Sequence, residues 1–187
     1  MAYSLPAATE LIRENVRSVP DFPKPGILFR DITSVWKNAE AFRACMDVFA
    51  DYYAHAGMPP IDLIVGIESR GFVVGSAFAA KTSLGFVPIR KKGKLPADVH
   101  SHEYDLEYGT DCVEIHTDGI EPGQSVLVMD DLLATGGTLL ASIELLKKVG
   151  AKVVGCAVVI DLPDIGGRKR IEDAGYPVFS ILDFPGH

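Results

Sequence analysis

Apolar residues near the start of the chain recur at helical spacing. Leu5, Ala8, Ile12, Val16 and Val19 share one face of a 3.6-residue repeat, which predicts an opening helix. Residues 18 to 24 hold two prolines and read as loop. Phe42, Cys45, Met46, Phe49 and Tyr53 predict a second amphipathic helix, started near Asn38 and ended by Gly57 and two prolines. Beyond it, apolar runs of strand type alternate with helical patterns. Strands are expected at 61–67, 86–90, 125–129, 152–160 and 178–182, with helices at 72–81, 138–149 and 165–174. Such alternation predicts an α/β fold: an open, mainly parallel sheet of about five strands, covered by helices on both faces. The pattern does not fix the order of the strands.

One stretch interrupts it. Residues 91–111 are polar, carry glycines, and include Tyr104 and Tyr108. A loop of that length in a compact domain is usually functional or mobile. Just after it, Val113 and Ile115 alternate with Glu114 and His116, which predicts an antiparallel hairpin or extension returning to the sheet.

Composition narrows the options. A chain of 187 residues suits a single domain, and its net charge of -7 argues against bulk binding to nucleic acid or an anionic membrane. A phosphate ligand needs only local positive potential, and basic residues do cluster: Arg90, Lys91, Lys92 and Lys94, then Arg168, Lys169 and Arg170. Three widely spaced cysteines, with no CxxC, predict reduced thiols in a cytoplasmic protein. The charged first 19 residues predict no signal peptide, and no apolar run has the length of a membrane span.

The chemistry concentrates where strands give way to helices. The run Val126 to Met129 meets two adjacent carboxylates, Asp130 and Asp131, and then Ala134-Thr135-Gly136-Gly137-Thr138 before the next helix. Bare backbone N–H groups at a helix N-terminus favour an anion, and glycine admits close approach. The carboxylates would repel a phosphate but bind hydroxyls. The ligand this asks for is phosphate at one end and polyol beside it. Gly66-Ile67-Glu68-Ser69-Arg70-Gly71 is a second strand-to-helix turn, with a guanidinium able to fork onto phosphate oxygens. Lys91 and Lys94 follow the next strand, while Lys92 is expected to face outward. His100, His102 and His116 lack metal-ligand spacing and read as surface or packing residues.

Asp130 to Thr138, Glu68 to Phe72, and Phe22 to Ile32 together resemble type I phosphoribosyltransferases, and within them the adenine-using members. The resemblance runs from about residue 19 to 182 with the motifs in family order. It implies the type I fold with a small hood at residues 20–36 and a mobile catalytic loop at 91–111. It implies transfer of the 5-phosphoribosyl group from phosphoribosyl diphosphate (PRPP) to N9 of adenine, giving AMP and pyrophosphate. The same resemblance assigns the ribose hydroxyls to Asp130 and Asp131 and the 5′-phosphate to Ala134, Thr135, Gly136, Gly137 and Thr138. It gives pyrophosphate to Ser69, Arg70, Lys91, Lys94 and Tyr108. Adenine goes to Leu28, Phe29, Arg30 and Ala134, with a C=O of Leu28 and the N–H of Arg30 reading the base edge. A cis peptide is expected at Glu68–Ser69.

Ala134 is an informative absence. The resemblance implies that 6-oxopurine members carry an acid there, and that in adenine-using members the acid/base role passes to Glu107 on the mobile loop. From sequence alone Glu107 stands beside other loop acids, Glu103 and Asp105. The resemblance further implies Mg²⁺ held mainly by PRPP and water with no direct protein ligand, a homodimer, and no nucleic-acid or membrane partner. Two rival readings stand beside this one: transfer to another purine, and a PRPP-sensing regulator on the same fold. A dinucleotide-binding module fails because no G-x-G-x-x-G follows the first strand.

Overall fold

The computed structural model describes residues 3–105 and 109–185. The first helix, α1 (Leu5–Glu14), is shorter than the apolar spacing predicts, because the chain turns into β1 (Arg17–Pro20), which pairs antiparallel with β2 (Leu28–Asp31). This small ribbon includes Val19, expected on the helix, and Ser18, expected in a loop. A short helix α2 (Thr33–Lys37) follows, then α3 (Ala39–His55), capped where predicted: the Asn38 side chain accepts from the N–H groups of Glu40 and Ala41.

The main sheet has seven strands. Five are parallel and match the five predicted runs: β3 (Leu63–Ile67), β4 (Gly85–Lys91), β7 (Ser125–Leu133), β8 (Lys152–Asp161) and β9 (Val178–Asp183). The other two, β5 (Val99–Asp105) and β6 (Thr110–His116), form an antiparallel hairpin added beside β4. The stretch expected to be one long loop is therefore partly strand. The spatial order is β5-β6-β4-β3-β7-β8-β9.

Helices α4 (Arg70–Thr82), α5 (Gly137–Lys148) and α6 (Gly167–Asp173) connect the parallel strands. α6 is preceded by a single 3-10 turn at Pro163–Ile165, so the predicted helix 165–174 is split. Strand β7 shows how the core is laid out. Leu127 and Met129 join Phe49 and Phe78 on the face covered by α3 and α4, while Val126 and Val128 join Ile143 and Leu146 under α5. Side chains alternate faces along a strand, so a continuous apolar run is what a sheet covered on both faces requires. Burying each of these large side chains stabilises the fold by roughly 1.5–3 kcal/mol.

The topology positions the site. From β3 the chain crosses to β4 on one side; from β7 it crosses to β8 on the other. The carboxyl ends of β3 and β7 are thus the switch point of the sheet, where open α/β folds leave a crevice.

Candidate active site

Strand β7 runs further than predicted. Its ladder to β8 continues through Asp130↔Val158, Leu132↔Ile160 and Leu133↔Asp161, so the two aspartates lie within the strand. Consecutive strand residues point to opposite faces, yet the two carboxyl groups remain close enough to interact directly. Asp131 is buried at 2% exposure and its Oδ2 lies 2.9 Å from Arg70 Nε. That oxygen has no aligned hydrogen bond, so it keeps acceptor capacity. Asp130 Oδ1 accepts from the N–H of Asp131 at 2.8 Å. Burial, and then the neighbouring Asp131 charge, push the Asp130 carboxyl well up; burial also raises Asp131, against the pull of Arg70.

Beyond β7 a cavity of about 130 Å³ is lined by Asp130, residues 132 to 138 and Leu139. Ala134, Thr135, Gly136, Gly137 and Thr138 all lie in its wall, as the sequence predicts for an anion turn. Gly136 has φ +76 and precedes the first residue of α5. The turn is backed by α6: a Cβ on Gly167 would lie 2.1 Å from the carbonyl of Ala134. α6 is in turn fastened to the sheet. Arg168 donates to Asp161 Oδ2 at 2.7 Å, to the carbonyl of Val178 at 2.8 Å and to Ser180 Oγ at 2.5 Å.

The second turn holds the expected cis peptide at Glu68–Ser69. Glu68 accepts from Arg90 Nε and Nη2, both at 3.2 Å, and from the N–H of Lys91 at 3.0 Å. Burial, the largest single effect, would raise the Glu68 carboxyl; Arg90 and the N–H of Lys91 together outweigh it, and the group is held below the ordinary value. Ser69 is exposed at the start of α4. Gly71 allows α4 to touch β7: a Cβ there would sit 2.7 Å from the carbonyl of Met129 and 2.9 Å from Asp130 Oδ1. This contact brings Arg70 to Asp131. The Arg70 guanidinium also lies 5.6 Å from the centre of the Phe29 ring.

Lys91 forms an ion pair with Asp111 and donates to Tyr104 Oη at 2.9 Å, and Tyr104 Oη lies 3.2 Å from Thr138 Oγ1. Burial lowers the Lys91 value, Asp111 raises it, and the net shift is upward. Lys94 is exposed and its carbonyl accepts from Arg90. Lys92 faces outward as expected, 3.6 Å from an exposed Glu103.

Phe29 meets Phe22 edge to face, with ring centres 5.1 Å apart. Pro20 lies opposite Leu28 in the β1–β2 register. Proline has no N–H, so that pair cannot exchange both bonds; the exchanging pairs fall on Val19/Phe29 and Arg17/Asp31. The N–H and C=O groups of Leu28 and Arg30 therefore face the open edge of the ribbon. The Arg30 side chain turns away, bonding Ser18 Oγ at 2.6 Å and lying over Phe184. Glu107 and Tyr108 lie outside the described residues.

The switch point thus brings together Arg70, Asp130, Asp131, the 134–138 turn and, through Tyr104, Lys91. Two residues bonded to the 134–138 turn are not legible as site residues in the sequence. Tyr104 appears in sequence only as one tyrosine in a polar stretch. Arg170, whose Nη1 donates to the carbonyl of Thr135 at 2.6 Å, appears only as part of a basic run.

Residues 31–185 match the model of the phosphoribosyl transferase domain family. The chain is 53% identical over 175 residues to the adenine phosphoribosyltransferase of Chlorobium chlorochromatii, covering 94% of this chain and 98% of that one. Among solved structures it is similar to adenine phosphoribosyltransferase from Rhodothermus marinus, with TM-score 0.87, 46% identity and coverage of 96% and 99%. The Saccharomyces cerevisiae enzyme, solved with an imino-altritol bisphosphate and adenine, gives TM-score 0.88, 35% identity and coverage of 95% and 99%.

Proposed function

This chain belongs to the phosphoribosyl transferase family, and we infer that it transfers the 5-phosphoribosyl group of PRPP to N9 of adenine, releasing AMP and pyrophosphate. The observation that carries this is the cavity beyond β7, walled by Asp130 and the 134–138 turn. It offers hydroxyl acceptors on one side and a cation-free ring of backbone donors on the other, which suits a ribose 5-phosphate.

The 5′-phosphate takes the N–H groups of the 134–138 turn and the hydroxyls of Thr135 and Thr138. Ribose hydroxyls donate to Asp130 and Asp131, and this favours the ionised forms that burial disfavours. As pyrophosphate departs, the sugar gains oxocarbenium character. Carboxylates that are ionised by then stabilise that charge more than the ground state. Arg70, Ser69, Lys91, Lys94 and Tyr108 receive the pyrophosphate. For Arg70 and Lys91 this means exchanging Asp131 and Asp111 for the ligand, which keeps each cation paired before and after binding. Adenine lies against Phe29 with its edge on the open backbone of Leu28 and Arg30, and Ala134 leaves room beside N7. Glu107 serves as acid/base.

The hard oxygen donors at the cavity, Asp130 among them, fit the water shell of a Mg²⁺ ion, which would be held mainly by PRPP oxygens and water with no direct protein ligand and would supply charge neutralisation for the polyphosphate. We place the enzyme in the cytoplasm as a homodimer acting in purine salvage; light scattering that gives a monomer would refute the dimer.

An assay with PRPP and each purine tests the reading. Product from adenine is expected. Product from guanine or hypoxanthine and none from adenine overturns it. Within that assay Glu107→Gln is expected to lower kcat about 10²-fold or more with a smaller change in KM; unchanged kcat rejects Glu107.

A further inference from the structure

We propose that Arg170 is a positioning residue for the 5′-phosphate, acting through the peptide between Thr135 and Gly136. The inference rests on the 5′-phosphate reading of the 134–138 turn.

Arg170 stands on α6, outside the cavity that the turn lines. Its Nη1 donates to the carbonyl of Thr135 at 2.6 Å, and it makes no ion pair with any described residue. A guanidinium in a chain of net charge -7 is thus directed at a neutral carbonyl. The 135–136 peptide is not among the cis bonds of the described residues. In a trans peptide the C=O and the following N–H point in opposite directions. Arg170 holds the Thr135 oxygen from outside the cavity, so the Gly136 N–H is turned to the other side of that peptide, the side of the cavity.

Gly136 needs this restraint more than most residues. It has φ +76, and glycine ranges freely over that region. The peptide could flip and present an oxygen to the phosphate instead. Gly167 adds a steric limit from the same helix, since its Cα lies 3.3 Å from where a Gly136 Cβ would be. The contact also has an electronic side. A cation on the carbonyl polarises the amide, so its N–H becomes a stronger donor. Finally, among the described residues Arg170 is the cation whose side chain is bonded to this turn, so it supplies the positive potential that the turn's own residues lack.

The test is calorimetry of the full-length protein with AMP and, separately, pyrophosphate. Arg170→Gln is expected to weaken AMP about 5- to 20-fold and leave pyrophosphate unchanged, the range expected when one charge-assisted hydrogen bond is lost. Arg170→Lys, which keeps the charge, is expected to recover part of the loss. In turnover the glutamine variant should raise KM for PRPP with little change in kcat. A purely structural residue would instead lower the unfolding midpoint and weaken both ligands together. Thr138→Val serves as the control for the underlying reading. If it weakens AMP while Arg170→Gln does not, the inference on Arg170 fails alone. If neither variant weakens AMP, the 5′-phosphate assignment fails and takes the inference with it.

Discussion

Two strand-to-helix turns meet at the switch point, and they are held by different means. The turn after β3 has the close approach of Gly71 to the Met129 carbonyl, but its side chains are held by charge: Glu68 to Arg90, and Arg70 to Asp131. The turn after β7 is held by contact between backbones, with Gly167 of α6 pressed against the Ala134 carbonyl. The first can exchange its partners for a ligand's charges. The second offers backbone N–H groups whose directions must be set before a ligand arrives. On the function proposed above, a site for a molecule with phosphates at both ends combines an adaptable half with a pre-set half, and the two halves should fail differently when altered.

The largest effect is expected on the contact-built side. Gly167→Ala would place a methyl 2.1 Å from the Ala134 carbonyl and 2.9 Å from the Gly136 nitrogen, both backbone atoms. Neither can move without shifting the turn. Overpacking of this kind costs about 3 kcal/mol, and for a chain of this size that lowers Tm by roughly 6–12 °C. Thermal unfolding measures the first part, and KM for PRPP, which should rise, the second. A wild-type Tm and KM would show that α6 does not support the turn.

The charge-built side should respond less, and with pH. The folded Glu68 carboxyl lies below its ordinary 4.5, so its stabilising contribution is fully present above that value. It is lost as pH falls through the lowered value. Glu68→Gln is expected to cost about 1 kcal/mol near neutrality, since the pair is only partly shielded from solvent. The variant should converge on the parent in acid. Urea unfolding at several pH values checks this; a difference that persists unchanged at pH 3 would mean the pair with Arg90 is not its source.

The same contrast explains what was legible in the sequence. Both turns were, because glycines, carboxylates and a guanidinium beside apolar runs carry their chemistry in residue type. The five parallel strands were also legible, since burial on both faces writes a continuous apolar run. Strand β5 was not: Val99 to Asp105 is mostly polar and lies at the sheet's edge with largely exposed side chains. Carboxylates read as a strand's end, which stops the predicted run at Met129, whereas the ladder to β8 carries β7 to Leu133. The β1–β2 ribbon is too short to show a period. Arg170 was hidden for another reason. Its role depends on α6 lying behind a turn more than thirty residues earlier, and a basic run does not specify which carbonyl it meets.

The two halves also meet at Tyr104, and the smallest expected effect is a coupling measured there. Its hydroxyl accepts from Lys91 at 2.9 Å and lies 3.1 Å from Asp111 Oδ2 and 3.2 Å from Thr138 Oγ1. Burial would raise the Asp111 carboxyl, but Lys91, the N–H of Cys112 and Tyr104 together hold it below the ordinary value, so it is ionised and can only accept. The single Tyr104 proton goes to that carboxylate, and the Thr138 proton then points at Tyr104. Tyr104→Phe removes the shared oxygen and should cost about 0.5–1.5 kcal/mol in urea unfolding. A cycle with Thr138→Val isolates the bond between the halves, with an expected coupling of at least about 0.5 kcal/mol. Strict additivity would mean that the charge-held and contact-held turns are not joined through this hydroxyl.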